Sequence, residues 1–86
     1  MIYKLFTIYD MKVNAYLQPH PLRNKGEMIR AIINEMSKPD SNFAKYPEDY
    51  VIYEIGEFDD DTGLIKSYDA PEIIGKVVEF RRVVDE

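Results

Sequence analysis

The sequence predicts an α+β domain in which one helix packs on a mainly antiparallel sheet of about four strands, in the order β-α-β-β-β. Three observations predict this class. Residues alternate as in a strand from Ile2 to Tyr9, an apolar stripe recurs at helical spacing from Met28 to Met36, and strand-like segments flank a turn at Asp59–Gly63. With 86 residues, the chain has room for a single domain over residues 1–86.

The first strand alternates between two sets of side chains, both of which are largely apolar or strand-forming. We therefore expect it to be covered on one face, partly covered on the other, and central in its sheet. Val13–Leu17 is expected to continue as a short strand or an extended arm. The two sets are Tyr3, Leu5, Thr7 and Tyr9 on one face, and Ile2, Lys4, Phe6 and Ile8 on the other.

A loop and then a helix are predicted next. Pro19 and Pro21 favour an extended loop over Gln18–Gly26, since proline lacks a backbone donor and restricts its predecessor. Asn24 followed by Glu27 matches a capping box at a helix start. The helix should end near Ser37, before Pro39. Its apolar stripe consists of Met28, Ile29, Ile32, Ile33 and Met36.

The sequence of the second half of the chain predicts a β-hairpin. Asp40–Asp49 is a polar connection in which Phe43 and Tyr46 are expected to anchor on the core. Tyr50–Phe58 is predicted as a strand, with one face formed by Tyr50, Ile52, Glu54 and Gly56.

The hairpin turn leads to a second arm. Gly63 can adopt positive φ in the turn, and Leu64–Ser67 then returns antiparallel. We expect a short turn at Pro71–Ile74 and a last strand over Lys76–Val83, although the apolar spacing of this segment also fits a helix.

Composition excludes several classes of protein. The chain has no cysteine, so disulfide scaffolds and thiolate sites are excluded, and a cytosolic location is the default expectation. No apolar run approaches the roughly 18 residues of a membrane span, and the start lacks the pattern of a signal peptide. Sixteen acidic against 11 basic residues give a net charge of −5, which argues against binding nucleic acid through a global field.

Enzyme, metal and cofactor sites are not predicted. Phosphate-loop, dinucleotide-binding, zinc-protease and nucleophile-elbow motifs are absent from the sequence. His20 lies between two prolines and is interpreted as an exposed loop residue. Asp59, Asp60 and Asp61 resemble half of a calcium loop, but the twelfth position is Ala70, which cannot bind a cation. We therefore expect a non-enzymatic protein with no cofactor and no metal.

Seven tyrosines lie on or beside the predicted strands. Rings on an open sheet face can stack on nucleic-acid bases, whereas the alternative interpretation is that they close a thin core.

Two blocks of sequence carry a resemblance to a known family. They are the opening MIYKLFTIYDMKVNAYLQP and the segment KYPEDYVIYEIGEFDDDTGLI from Lys45 to Ile65. Together they resemble the small nonstructural protein of gokushoviruses, which are Microviridae, phages with single-stranded DNA. The resemblance implies a nonstructural phage protein of the infected bacterial cytoplasm that binds DNA and assists genome synthesis or packaging into procapsids.

Two functional hypotheses follow. The first is a homo-oligomer, with a dimer as the simplest form, that binds single-stranded DNA without contacting a membrane. The alternative is an adaptor that docks on replication or capsid proteins without touching DNA, for which negative charge is natural. The residues expected to contact DNA are Tyr3, Tyr9, Tyr16, Arg23, Lys25, Arg30 and Tyr53.

Overall fold

The computed structural model describes residues 1–81 and confirms the α+β class. Besides its strands and helices, the chain contains two short 3-10 turns, Pro47–Asp49 and Val77–Phe80. The strands and helices are β1 (Ile2–Asp10), β2 (Ala15–Tyr16), β3 (His20–Leu22), α1 (Lys25–Met36), α2 (Asn42–Lys45), β4 (Tyr50–Asp59) and β5 (Leu64–Lys76).

All strands form one antiparallel sheet with β1 at its centre, as the sequence predicts. β4 pairs along the whole of β1 on one edge, while β2 and β3 share the other edge. β5 pairs with β4 and forms the outer strand.

Helix α1 begins and ends where the sequence predicts. The Asn24 side chain accepts a hydrogen bond of 3.0 Å from the backbone N–H of Glu27, and the Glu27 carboxylate accepts one of 2.8 Å from the backbone N–H of Arg23. The two hydrogen bonds satisfy two N–H groups at the start of the helix, but the second comes from Arg23 rather than from the capping residue Asn24, so the predicted capping box is only partly formed. Met28, Ile32 and Met36 form its buried stripe.

The core lies between α1 and one face of the sheet. Phe6 of β1 and Ile52 of β4 are fully buried there, together with Val77 from the last 3-10 turn. Phe43 packs edge-on against Tyr50 with ring centroids 4.7 Å apart, so its expected role as an anchor is confirmed. Tyr46 is 55% exposed and does not anchor the connection, so that expectation is wrong.

A bulge in β4 changes the faces of this strand. The register shifts so that Leu5 pairs with Gly56 and Phe6 pairs with Glu54, which leaves Ile55 without a partner in β1. The side chain after a bulge changes face relative to simple alternation. The expectation that Gly56 shares a face with Ile52 is therefore wrong.

Three further local expectations are wrong. The predicted loop over Gln18–Gly26 contains β3, because its extended proline-flanked backbone pairs with β1. Pro71–Ile74 is not a turn but lies within β5, which tolerates proline because one of its edges has no partner strand among residues 1–81. Val77–Phe80 is a 3-10 turn rather than part of a last strand, and residue 83 lies outside the described residues.

A polar cluster joins β1, β4 and β5 on the α1 side of the sheet. Lys4 Nζ lies 2.8 Å from Glu57 Oε2 and 4.0 Å from Glu54 Oε2, and the Tyr68 hydroxyl donates to Glu54. The hydrogen bond between Lys4 and Glu57 raises the pKa of the lysine and lowers the pKa of the glutamate.

Replacing Gly56 should destabilise the fold, because a Cβ at this position would collide with the backbone carbonyl oxygen of Lys66 in β5. We expect Gly56→Ala to lower the free energy of unfolding by about 1–3 kcal/mol, measured by urea denaturation. Ser67→Ala, an exposed change in the residue opposite Gly56, is the control and should alter stability by less than about 0.5 kcal/mol. Equal stability of Gly56→Ala and the native protein would contradict this packing.

The ion pair between Lys4 and Glu57 should make the fold sensitive to acid. Since the pKa of Glu57 is lower in the folded state, its stabilisation is present above the unfolded-state pKa and is lost as pH falls through the folded-state pKa. The free energy of unfolding of Glu57→Gln should therefore fall less steeply than that of the native protein between about pH 6 and about pH 3. Glu48→Gln, which changes an exposed glutamate, should keep the native slope.

Candidate nucleic-acid interface

Four of the predicted contact residues share the sheet face opposite α1. Strand alternation places Tyr3 and Tyr9 of β1 on this side, and the register places Tyr53 of β4 and Tyr16 of β2 beside them. We call this surface the tyrosine face. No helix of the described residues forms part of it, and its tyrosines are half-buried or exposed.

Three of the rings touch one another. The ring centroids of Tyr9 and Tyr16 are 4.8 Å apart and those of Tyr16 and Tyr53 are 5.8 Å apart, with interplanar angles of 60° and 64°. Such edge-to-face contacts are the favoured geometry of aromatic pairs. Tyr16, in the middle, remains 51% exposed, so its ring is accessible to a ligand.

Tyr16 is held in place by the segment that follows it. The buried hydroxyl of Thr7 donates a hydrogen bond of 2.6 Å to the carbonyl oxygen of Leu17, and the backbone N–H of Leu17 donates one of 2.8 Å to the carbonyl oxygen of Ile8. The Tyr9 hydroxyl also donates to Asn14 Oδ1 at 3.2 Å. These contacts attach the short strand β2 to the centre of the sheet.

Tyr3 lies at the other end of β1, six residues and about 20 Å along the strand from Tyr9. It is opposite Phe58 of β4, which is opposite Ile65 of β5. The aromatic character of the tyrosine face thus extends along the full length of the central strand.

The carboxylates of the paired strand residues lie on the opposite side of the sheet. The paired acidic residues of the strands all have register positions on the α1 side: Asp10, Glu54, Glu57, Asp59 and Glu72. Lys76, opposite Val51, is the one charged residue with a register position on the tyrosine face among the paired strand residues described. The net negative charge of the chain is therefore not spread evenly over its two faces.

The predicted cations lie beside the tyrosine face rather than on it. Arg23 and Tyr3 line the same shallow cleft at one end of the sheet. Arg23 Nε also lies 3.1 Å from Glu27 Oε2, while the arginine side chain remains 65% exposed. Lys25 and Arg30 are exposed on α1, where Arg30 and Arg23 line another shallow cleft. The structure thus brings Arg23 to Tyr3 but does not bring Lys25 or Arg30 onto the tyrosine face.

Lys76 is a candidate that the sequence analysis missed. Its position depends on pairing with Val51, and this pairing exists because β5 continues beyond Pro71 instead of ending at Ser67. The sequence did predict a strand beginning at Lys76, but it predicted a turn at Pro71–Ile74 and so gave no register for that strand.

The other two motifs are explained by local structure. Asp59–Asp61 form the hairpin turn, in which the backbone N–H of Asp61 donates to Asp59 Oδ1 at 2.9 Å. Their carboxylate oxygens lie within 4.8 Å of one another, and the α-ammonium group of Met1 lies 2.6 Å from Asp60. His20 is exposed in β3, at a mainly apolar cleft of about 490 Å³ beside α1.

Comparison with known proteins identifies the family. The family model described as "Phage ORF5 protein" matches residues 3–80. The chain belongs to the Phage ORF5 family. The matched region includes all four tyrosines of the tyrosine face and Lys76, so the candidate site lies within the part that defines this family of phage proteins. No curated protein and no solved structure matches the chain. Within residues 1–81, no helix of this Phage ORF5 family member is long and apolar enough to cross a membrane.

The hydroxyl of Thr7 should be required to hold β2 in place. Thr7→Val leaves the carbonyl oxygen of Leu17 without this donor, and we expect a loss of about 0.5–1.5 kcal/mol in the free energy of unfolding. Amide hydrogen exchange at Leu17 should also become faster. Thr7→Ser keeps the hydroxyl and should keep slow exchange at Leu17; fast exchange in both variants would contradict the role of this hydrogen bond.

Proposed function

We propose that this Phage ORF5 family member is a non-enzymatic protein of gokushovirus type that binds viral single-stranded DNA through its tyrosine face. The observation that carries the proposal is the gathering of Tyr3, Tyr9, Tyr16 and Tyr53 on a sheet face whose paired residues include no carboxylate. In the infected bacterial cytoplasm, binding of this kind assists genome synthesis or packaging.

Stacking supplies the attraction. A base stacked on an aromatic side chain contributes about 1–3 kcal/mol, and any base can stack because every base has a π-face. Tyr16 is half-exposed in the middle of three touching rings near one end of β1, and Tyr3 lies near the other end of that strand. An extended strand lying along β1 would therefore meet the three touching rings at one end of β1 and Tyr3 at the other end.

The charge distribution removes the main objection to DNA binding. A net charge of −5 repels phosphate at long range, but screening confines this repulsion to about 10 Å at 0.1 M salt. Among the paired strand residues described, the charge with a register position on the tyrosine face is Lys76, and Arg23 lines a cleft with Tyr3. Beyond Tyr3, Lys25 and Arg30 can neutralise phosphates of a strand that continues toward the start of α1.

The homo-oligomer remains part of the proposal. A dimer would double the number of rings offered to one strand, and a thin domain gains stability by covering apolar surface. The outer strand β5 has such surface, because Leu64 is 70% and Ile65 is 63% exposed.

The same strand favours the second candidate function, the adaptor. One edge of β5 has no partner strand among residues 1–81, and an exposed edge can accept a strand from another protein. In that function, β5 would dock on replication or capsid proteins and the tyrosine face would not touch DNA.

Replacing a tyrosine of the tyrosine face distinguishes DNA binding from the adaptor function. We expect Tyr16→Ala to weaken binding of a labelled single-stranded oligonucleotide by about 5-fold to 150-fold, the equivalent of losing one stacked base. Fluorescence anisotropy at two salt concentrations measures the change. Tyr46→Ala is the matched control, because Tyr46 is 55% exposed but lies outside the tyrosine face.

Tyr16→Phe keeps the aromatic ring and removes only the hydroxyl, so this variant is expected to bind DNA nearly as tightly as the native protein does. If native protein at micromolar concentration in low salt does not bind the oligonucleotide, the DNA-binding proposal is wrong and the adaptor is favoured.

A further inference from the structure

The tyrosine face is poor in groups that could read the edges of bases. Reading a base edge usually requires arginine, lysine, asparagine, glutamine or a carboxylate placed for paired hydrogen bonds. Apart from the tyrosine hydroxyls, its paired strand residues offer the hydroxyls of Thr7 and Ser67 and the ammonium group of Lys76. The Thr7 hydroxyl is already bonded to the carbonyl oxygen of Leu17.

This face is also poor in groups that bind phosphate. Lys76 lies near the Tyr9 end and Arg23 lies beside the Tyr3 end, where Glu27 already contacts its guanidinium group. Between these two ends, the paired residues of the face are aromatic, apolar or hydroxyl-bearing and carry no charge, with Leu5 and Val51 buried beneath them. A nucleic-acid strand on the tyrosine face therefore gains much of its binding free energy from contacts with rings and little from phosphate neutralisation.

From this imbalance we infer that the tyrosine face binds a nucleic-acid strand by its bases, leaves most phosphates in solvent, and selects weakly stacked, pyrimidine-rich strands. This inference rests on the proposed function and names the substrate class within it. A base can stack on a tyrosine only after it leaves its neighbours in the free strand. Thymine-rich strands are flexible and weakly stacked, whereas adenine-rich strands must first be unstacked.

Binding through bases rather than phosphates also implies that affinity depends only weakly on salt concentration. Each phosphate that is neutralised on a single strand contributes about −0.7 to the slope of log K against log salt concentration. With Lys76 and Arg23 at the face and Lys25 and Arg30 beyond Tyr3, at most four phosphates are neutralised, so we expect a slope no steeper than about −2.8. Lys76→Ala should reduce its magnitude by about 0.7, because one contact is lost.

The experiment compares three labelled oligonucleotides of one length, about 12 nucleotides, with the full chain. They are all-thymine, all-adenine and a strand of abasic sites that keeps only sugar and phosphate. Fluorescence anisotropy over a series of salt concentrations measures affinity and slope. We expect the thymine strand to bind at least about tenfold more tightly than the adenine strand, a difference of about 1.4 kcal/mol. We expect the abasic strand not to bind.

Lys45→Ala is the matched control for Lys76→Ala. Lys45 is exposed in α2 and lies away from the tyrosine face, so its removal should leave the salt slope unchanged.

Different outcomes overturn different claims. Equal affinity for thymine and adenine strands, retained binding of the abasic strand, or a slope of about −3 or steeper overturns the inference. If Tyr16→Ala still weakens binding in that case, the DNA-binding proposal stands. If none of the three strands binds, the proposed function itself is wrong.

Discussion

The central strand β1 has to bury side chains on both faces, and much of the molecule follows from this requirement. On one face Phe6 and Ile8 lie under helix α1. On the other face Leu5 and Thr7 are equally buried, although no helix of the described residues belongs to that side. The tyrosine rings and the segment around Leu17 provide the cover instead. Among residues 1–81, aromatic side chains thus take the place of a second helical layer.

Cover by tyrosine differs from cover by a helix because it leaves a surface of rings. The ring of Tyr16 packs against Tyr9 and Tyr53, yet half of its surface remains exposed. Contiguous apolar surface on a small protein commonly marks a binding site. The two interpretations of the tyrosines, core closure and base stacking, are therefore compatible: the same rings can complete the core and present a binding surface.

The bulge at Ile55 determines on which face of the sheet the charged side chains of β4 lie. By changing the alternation in β4, it places Glu54 and Glu57 on the same side of the sheet, where Lys4 and Tyr68 contact them. Without the bulge, one of these glutamates would have to lie on the tyrosine face. The separation of charge between the two faces of the sheet thus depends on one extra residue in β4.

Local sequence determined the elements whose causes are local. Alternation in β1, the Asn24 cap with its apolar stripe, and the turn ending at Gly63 each require contacts within a few residues, so the main helix, the strands of the hairpin and the common face of Tyr3 and Tyr9 could be predicted. Tertiary structure alone decided which residues lie opposite one another. Pairing with β1 made a strand of His20–Leu22, the bulge moved Gly56 to the tyrosine face, and the long β5 placed Lys76 beside it. Register depends on contacts between distant segments, and a shift of one residue reverses the face of every side chain that follows.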